Sequence, residues 1–373
     1  MTSADHATVA VLGGGPAGAS AALELTRLGI DTTLVEQTDG SGSPVGECLA
    51  PSANPLLQQL GLSDVLPASG AIRSYGNRSS WGGDGAVTDR DFLREPFGHG
   101  WHLDRPAFNR ALLDTVEAAG VSVWRHHRVT SVERTTGIWQ ITTAAPEGEN
   151  ALRATMLVDA TGRHALLARH QRLRRRTLDS QIAAVAFLAP DSRAAPLRDA
   201  TTVIEAVPDG WWYVALLPNQ HLVVACFTDP DLLAQHAAWR PTNWWNLLRT
   251  TDLVGPLVTA HGYEIPRHID IFPAGSSLLT QPTGDAAAAY DPLSSHGIGS
   301  ALASGRSAAR ALAATLAGDP TAFPTYRDRL LAAYTHYLCT RHAYYADEPR
   351  WPTSPFWRRR HGTAQPLPAQ NDS

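Results

Sequence analysis

A glycine-rich turn near the start of the chain has the residues and the spacing of a dinucleotide-binding site. The turn, Gly13-Gly14-Gly15-Pro16-Ala17-Gly18, follows an apolar stretch with strand character and precedes apolar residues at helical spacing. Glycines permit a tight turn and a close backbone approach to a pyrophosphate, and the N-terminus of the next helix favours negative charge. A second strand pattern ends at Glu36, the acid expected to bind ribose hydroxyls. Strand, glycines, helix, strand and acid in this order predict a dinucleotide-binding domain.

Composition limits the possible classes of function. The 373 residues are enough for about two domains, the net charge is −4, and all 31 basic residues are arginine. This balance gives no indication of a nucleic-acid partner, and no apolar run reaches the roughly 18 residues of a membrane span. The polar N-terminus does not resemble a signal peptide. Three scattered cysteines without metal or redox spacing favour the cytoplasm, and we expect no metal site.

The elements that must position these residues change in character along the chain. Helical and strand patterns alternate up to about residue 163. Four strand patterns then follow between residues 183 and 227, and they predict an antiparallel sheet with one face free to meet a ligand. Residues 286–316 are mostly small and predict a closely packed helix, whereas the last dozen residues are expected to be disordered.

Several motifs occur together in an order that resembles the FAD-dependent monooxygenases of the para-hydroxybenzoate hydroxylase fold. Besides the glycine-rich turn and Glu36, they are Gly46-Glu47, Arg105, Asp159-Ala-Thr-Gly162 and Gly284-Asp285 through Gly297. The chain is most similar to the branch that holds tryptophan halogenases and geranylgeranyl reductases. Within that branch it resembles halogenase-like monooxygenases, including flavoproteins that mature quinone-cofactor amine oxidases. The most specific segments are Asp209-Gly-Trp-Trp-Tyr213, Asp291-Pro-Leu-Ser-Ser-His296-Gly and the tail around Phe356-Trp357.

The resemblance implies an α/β fold. We expect a Rossmann-like FAD-binding domain with an inserted antiparallel β-sheet substrate domain and a C-terminal helical tail. The expected FAD-binding domain is discontinuous and comprises residues 1–75, 100–175 and 270–325. The substrate domain would comprise residues 76–99 and 176–269, and the C-terminal segment residues 326–373.

The resemblance also implies that FAD is the cofactor. Arg105 would contact the FAD phosphate region and Asp285 the ribityl or pyrophosphate portion. Residues 292–297 would run beside the isoalloxazine ring, where a helix N-terminus stabilises the negative charge of the reduced flavin. The expected cofactor-binding residues are Gly13, Gly15, Ala17, Gly18, Glu36, Gln37, Glu47, Arg105, Val129, Gly162, Gly284, Asp285, Pro292, Ser295, Gly297 and Ile298.

Four residues are candidates for catalysis. His296 lies next to the flavin in this scheme and is able to move a proton, although a hydrogen bond to the backbone or the flavin is the alternative. Glu47 is expected either to bridge the flavin loop and the substrate pocket or to make a structural hydrogen bond. Trp211 and Trp212 lie on one strand pattern, so one ring should face a ligand and the other should face away. Core packing is the alternative for each ring.

Two departures from the wider family bear on the reaction. Members that bind NAD(P)H themselves carry an aspartate-glycine pair where this chain has Asp159-Ala-Thr-Gly162, so a separate flavin reductase is an alternative source of electrons. Halogenases need a lysine between the flavin and the substrate, and this chain contains no lysine. Halogenation by that route is therefore not expected.

These residues lead to one expected function and to alternatives. We expect a monooxygenase that uses O₂, through a flavin C4a-hydroperoxide, to hydroxylate an aromatic substrate, either a small molecule or a peptide- or protein-bound ring. An FAD-dependent oxidase or dehydrogenase acting on a C–C or C–N bond is the alternative among enzymes. A flavin-binding accessory protein without turnover is the alternative of another class. No nucleic acid or membrane is expected as a partner.

Overall fold

The computed structural model describes residues 5–40, 45–173, 175–190, 197–279, 287–295 and 297–362. Gly284, Asp285, His296 and the C-terminal residues expected to be disordered lie outside these residues. Within them the strands are, in chain order, β1 Asp5–Leu12, β2 Thr32–Val35, β3 Cys48–Leu49, β4 Ile72–Ser74, β5 Gly76–Ser80, β6 Val87–Asp91, β7 Gly100–His102, β8 Ser122–Trp124, β9 Arg128–Thr135, β10 Ile138–Ala145, β11 Gly148–Asp159, β12 Arg175–Thr177, β13 Ile182–Leu188, β14 Thr202–Val207, β15 Gly210–Leu216, β16 Leu222–Thr228, β17 Asp270–Pro273, β18 Ser277–Leu279 and β19 Ala288–Ala289. The α-helices are α1 Pro16–Arg27, α2 Asn54–Leu60, α3 Val65–Ala68, α4 Arg105–Ala118, α5 Leu166–His170, α6 Pro230–His236, α7 Pro241–Arg249, α8 Val254–Ala260, α9 Gly297–Leu316, α10 Ala322–Ala346 and α11 Pro355–His361.

The chain divides into two compact units. Unit 1 comprises residues 1–73, 95–179 and 276–328, and unit 2 comprises residues 74–94, 180–275 and 329–373. The sequence analysis set residues 326–373 apart as a C-terminal segment, and from residue 329 onward this segment groups with unit 2.

Unit 1 is built around a sheet with the strand order β8-β2-β1-β11-β10-β9 in the described chain. The first four strands are parallel, and β10 and β9 extend the sheet in antiparallel pairing. Helix α1 starts at Pro16, a residue suited to the first helical position because it has no N–H to leave unpaired. The parallel strands and α1 form the Rossmann-like FAD-binding fold that the sequence predicts, so the α/β fold class is confirmed.

Helix α9 packs closely on α1. A Cβ atom added at Gly305 would collide with the backbone carbonyl of Ala17, so the small residue at this position permits the approach. The predicted helix over residues 286–316 begins later than expected, at Gly297. The segment before it holds strand β19 and a 3-10 turn, Pro292–Ser294, after which Ser295 takes a left-handed φ of 50° that ends the turn.

Unit 2 contains an open sheet with the order β17-β13-β16-β15-β14-β5-β6. The strands from β17 to β14 pair antiparallel, as predicted for the middle third of the chain. The expectation of a free sheet face is wrong for the central strands, since all seven residues of β16 are buried. Side chains from α7 cover one face of β15, and aromatic rings of the same unit cover the other.

Among the described residues, no helix has both the length and the apolar character needed to cross a lipid bilayer.

Candidate functional site

The glycine-rich turn follows β1 and is held by backbone contacts that tolerate no side chain. The Gly13 amide donates to the Val35 carbonyl at 2.8 Å, and Gly13 has a left-handed φ of 103°. A Cβ atom at Gly13 would lie 2.5 Å from the Ala160 carbonyl oxygen, and one at Gly18 would collide with the Gly13 carbonyl. These two glycines are therefore required by the packing of the turn itself.

Gly15 differs from its neighbours because nothing in the described chain requires a glycine there. Its backbone has ordinary extended angles, φ −69° and ψ −175°, and a Cβ atom would meet no atom within 4 Å. The open space lies directly at the N-terminus of α1, where the helix dipole and free N–H groups favour an anion. The geometry fits a pyrophosphate that approaches the backbone at Gly15.

Glu36 lies just after β2 and closes the turn from the other side. One carboxylate oxygen, Oε2, accepts from the Gly14 amide at 2.6 Å, and Oε1 accepts from the amide and the hydroxyl of Thr38, each at 2.9 Å. The turn and the acid therefore form one hydrogen-bonded unit.

A cavity of about 690 Å³ opens beside this turn, and we call it the glycine-turn cavity. Its volume lies within the usual range of ligand pockets. Eight of the predicted cofactor residues line it: Gly13, Gly15, Ala17, Glu36, Gln37, Arg105, Val129 and Gly162. The other described ones do not line it: Gly18, Glu47, Pro292, Ser295, Gly297 and Ile298.

The Asp159-Ala-Thr-Gly162 segment forms part of the cavity wall. Asp159 is buried, and its Oδ1 accepts from the Thr161 amide at 3.0 Å and from the Thr161 hydroxyl at 2.5 Å. Its Oδ2 accepts from the Leu167 amide at 2.8 Å, at the start of α5. Asp159 therefore fixes the loop that places Thr161 and Gly162 at the cavity.

Arg105 and Glu47 are buried charges in unit 1. Arg105 starts α4 and donates from Nη1 to the Gly46 carbonyl at 2.8 Å, while its Nε has no partner among the described residues. Burial lowers the pKa of Arg105 to about 10, and the charge of Glu47 opposes that shift. Burial raises the pKa of Glu47, against the effects of its own backbone amide and of Arg105. The Glu47 Oε1 atom also lacks a described partner, so both side chains have capacity for a further hydrogen bond.

Residues 291–295, 297 and 298 lie at or just before the start of α9. The Asp291 side chain accepts from the Leu293 amide at 2.9 Å and caps the 3-10 turn, and Asp291 itself is buried. Ile298 is buried in the core of unit 1, where it packs with residues of α1 and α2. The roles predicted for Pro292, Ser295, Gly297 and Ile298 beside a flavin ring stay predictions.

The rings of Trp211 and Trp212 lie on opposite faces of β15, as strand alternation predicts. Trp211 is stacked on Phe227 at 3.9 Å between ring centroids, and Trp212 meets Trp244 edge-on at 5.0 Å. Only 1% of Trp211 and 2% of Trp212 is exposed, so both rings pack against protein. Their catalytic roles stay predictions, as do those of Glu47 and His296.

A line of polar contacts runs behind Trp211 within unit 2. The Trp211 indole nitrogen donates to the Tyr345 hydroxyl at 3.2 Å, which donates to Gln181 Oε1 at 3.1 Å. Beyond Gln181 lies a buried ion pair in which Arg360 Nη2 meets Asp229 Oδ1 at 2.7 Å. Sequence analysis did not single out these partners, because they come from segments far apart in the chain.

Sequence reasoning also missed part of the cavity wall. Among the lining residues outside the sequence motifs are Asn109, His127, Arg128, His164, Arg169, His170 and Ala301. Asn109 lies one helical turn after Arg105, which was an available signal, and its buried Oδ1 has no described partner. Within the described residues, no group of three His, Cys, Asp or Glu side chains is placed to hold a metal ion.

The chain is similar in sequence to known flavoproteins. Residues 6–250 match the family model described as FAD binding domain. The chain belongs to this FAD-binding family. It is 31% identical over 362 residues to the putative FAD-dependent oxidoreductase LodB of Marinomonas mediterranea, covering 94% of this chain and 96% of that protein. It is 26% identical over 329 residues to the tryptophan 2-halogenase of Chondromyces crocatus, covering 83% of this chain and 62% of that protein.

Solved structures are similar over nearly the whole chain, and one of them is 26% identical to it. It is QhpG, a peptidyl tryptophan dihydroxylase essential for tryptophylquinone cofactor biogenesis, with a TM-score of 0.78. The match covers 98% of this chain and 82% of that one. These findings confirm the predicted resemblance and FAD as the cofactor, and the protein is an FAD-dependent oxidoreductase.

The residues present fit FAD on structural grounds. The space beside Gly15 leaves room for a diphosphate at the start of α1. Two buried polar atoms in or at the cavity wall, Arg105 Nε and Asn109 Oδ1, lack a partner that a bound ligand would supply. Glu36 lies where the ribose of a dinucleotide would reach it.

Proposed function

We propose that the protein is a monooxygenase that hydroxylates an electron-rich aromatic ring carried on a peptide or protein. One observation carries this proposal: the similarity to a peptidyl tryptophan dihydroxylase extends over 98% of a chain that contains no lysine. The similarity supports a peptide-borne aromatic substrate. The chain also lacks lysine, the residue on which the known halogenation route depends.

The residues of unit 1 would hold and tune the cofactor. When bound, reduced FAD activates O₂ and supplies the oxygen atom for transfer. Gly15 and the N-terminus of α1 would bind the diphosphate, and Glu36, held by the Gly14 amide, would bind the ribose. Arg105 would add a fixed positive charge, because Gly46 holds its guanidinium and burial shields it from water.

Glu47 is the described residue best suited to hold a proton. Its side chain is buried, burial raises its pKa, and its Oε1 has no described partner. A neutral carboxyl can donate a hydrogen bond or a proton where a carboxylate can only accept. In this proposal Glu47 keeps a proton in unit 1. His296 exchanges a proton with the substrate, which is the role that its position in the sequence suggests.

Isotope labelling tests the proposal. Product formed under ¹⁸O₂ from a tryptophan-containing peptide, with FAD and a reductant, should gain labelled oxygen in mass spectrometry. Halide should be neither required nor incorporated, and His296→Ala should lower the rate by about 10²-fold while FAD stays bound. An oxidised product without label would instead indicate an oxidase or dehydrogenase.

Halogenation is the second candidate, since the chain resembles a tryptophan 2-halogenase. The same assay with added chloride or bromide distinguishes it, because a halogenated product requires halide. Such a product would contradict our proposal and would require a route to the halogen that does not use lysine.

We further propose that a separate flavin reductase supplies the electrons. The Asp159-Ala-Thr-Gly162 segment departs from the aspartate-glycine pair of members that bind NAD(P)H directly. NADH or NADPH alone should then bleach the flavin slowly, and an added flavin reductase should do so quickly. Rapid, saturable reduction by one nicotinamide cofactor would contradict this assignment.

A further inference from the structure

Two arginines and two histidines line the glycine-turn cavity without a side-chain polar partner in the described chain. Arg128 begins β9, His164 ends a 3-10 turn, and Arg169 and His170 end α5. All four residues are exposed, and none of their side chains makes a hydrogen bond or an ion pair with another described residue. We call these four residues the wall cluster.

The wall cluster is separate from the charges already assigned at this cavity. Arg105 is buried and is held by the Gly46 carbonyl. His127, although it also lines the cavity, donates from Nδ1 to the Arg125 carbonyl at 2.8 Å, and its Nε2 lies 3.6 Å from Glu147 Oε1. The wall cluster has no such partner in the described chain, so the charges of Arg128 and Arg169 are available to the cavity and the solvent.

No carboxylate of the described cavity wall forms an ion pair with the cluster. Glu36 is the acidic residue among those that line the described cavity, and both of its oxygens already accept hydrogen bonds from the turn and from Thr38. The arginines Arg128 and Arg169 come from separate elements of the chain, β9 and α5, and their like charges repel each other. Concentrated at one concave surface, they create a positive potential that attracts an anion.

We propose that the wall cluster is a second anion subsite, which recognises a phosphate group of a nucleotide and is distinct from the glycine-rich turn. Arginine guanidinium groups bind phosphate oxygens in pairs of hydrogen bonds, and exposed histidines add donors. The phosphate belongs either to FAD as it enters the cavity or to a second nucleotide that binds after FAD. The proposal concerns binding alone and does not depend on hydroxylation.

The test compares two double variants of equal charge change. Arg128→Gln/Arg169→Gln removes two arginines of the wall cluster. Arg134→Gln/Arg153→Gln is the control, since both arginines are exposed on β9 and β11 and neither lines the cavity. Circular dichroism should show that both variants fold as the wild type does.

The first measurement is the association rate of FAD with the apoprotein, followed by flavin fluorescence in a stopped-flow instrument. If the subsite captures FAD, the wall variant should associate about tenfold more slowly than the wild type at low salt. The difference should vanish near 1 M salt, where the Debye length is about 3 Å. The control variant should stay within about twofold of the wild type.

The second measurement is the binding of adenosine 2′,5′-bisphosphate to the FAD-loaded protein by calorimetry. If the subsite serves a second nucleotide, the wild type should bind this probe and the wall variant should bind it about tenfold more weakly. Either result supports the subsite and identifies its source of phosphate. If the wall variant equals the control in both measurements, the proposal is overturned.

Discussion

The two units differ in how their buried polar groups are paired and in how much interior space they leave open. In unit 1, the cavity beside the glycine-rich turn leaves an open position at Gly15 and unpaired polar atoms on Arg105 and Asn109. In unit 2, the indole of Trp211 is bonded to Tyr345, and the charge of Arg360 is bonded to Asp229. The first arrangement leaves room for a ligand, whereas in the second the indole of Trp211 and the charge of Arg360 meet partners from the chain itself. Substitutions should therefore affect ligand binding in one unit and stability in the other.

The largest effect on stability should come from Asp229→Ala in unit 2. This change leaves Arg360, of which 6% is exposed, without its buried partner. Removing one member of a buried ion pair typically costs about 3–5 kcal/mol, because the remaining charge stays desolvated. Thermal or urea unfolding should show this loss, with cofactor present at saturation.

The matched control is the exposed pair between Arg78 and Asp89, also in unit 2. Its side chains are 44% and 61% exposed, so Asp89→Ala should cost about 0–1 kcal/mol. Equal losses in the free energy of unfolding of the two variants would show that the buried pair stabilises unit 2 no more than the exposed pair does.

In unit 1, Gly15→Val should remove FAD binding and leave folding intact. The backbone angles at Gly15 suit any residue, and the new side chain would occupy open space in the described chain. We expect FAD affinity to fall by at least about 100-fold, which corresponds to about 2.7 kcal/mol. Flavin fluorescence titration measures the loss, and circular dichroism measures the fold.

Gly18→Val sharpens this test. Its Cβ atom would collide with the Gly13 carbonyl, so this variant should fail to fold. If Gly15→Val bound FAD normally, the open position would not be the diphosphate site.

A smaller effect is expected from Tyr345→Phe. The variant keeps the ring but removes the hydroxyl that links Trp211 to Gln181, and the indole nitrogen of Trp211 is then left buried without that acceptor. A buried donor without a partner costs about 1–3 kcal/mol. Urea unfolding should show the loss, and FAD affinity should not change, because the contact lies within unit 2.

The most specific effect concerns pH and Glu47. Burial raises the pKa of this carboxyl above 4.5 in the folded protein, so the folded state holds its proton more tightly than the unfolded state does. That contribution to stability is complete below pH 4.5 and is lost as the pH rises through the folded pKa. Glu47→Gln keeps the neutral form, so its stability relative to the wild type should increase with pH over this window. A difference independent of pH would contradict the raised pKa.

The two units also differ in how much of their structure could be predicted from the sequence. The turn from Gly13 to Gly18, helix α1 and Glu36 were predictable because their motif depends on neighbours within about 25 residues. The wall cluster was not predictable, because no local pattern indicates which basic residues of three separate elements line the same cavity. The later start of α9 was missed because composition favours a helix there, whereas the Asp291 cap and the φ of Ser295 decide otherwise.

Unit 2 was predictable as strands but not as packing. The patterns between residues 183 and 227 gave β13 to β16 closely, because alternation and β-branched residues are local signals. The covering of Trp211 and Trp212 was not predictable in the same way. Their contacts come from α7 and from the end of the chain, and only the tertiary structure brings these segments together.

The aromatic contacts of unit 2 also set an order of events during synthesis. The indole nitrogen of Trp81 donates to the carbonyl of Tyr344, and 263 positions separate the two residues. At about 5–20 residues per second, a ribosome needs roughly 10–50 s to make the intervening chain. For that time Trp81 lacks its C-terminal partner, and the apolar strands around Trp211, which are made later, lack theirs for about half as long. The nascent chain should therefore depend on chaperones until its last helix emerges, and C-terminal truncation should prolong that dependence indefinitely.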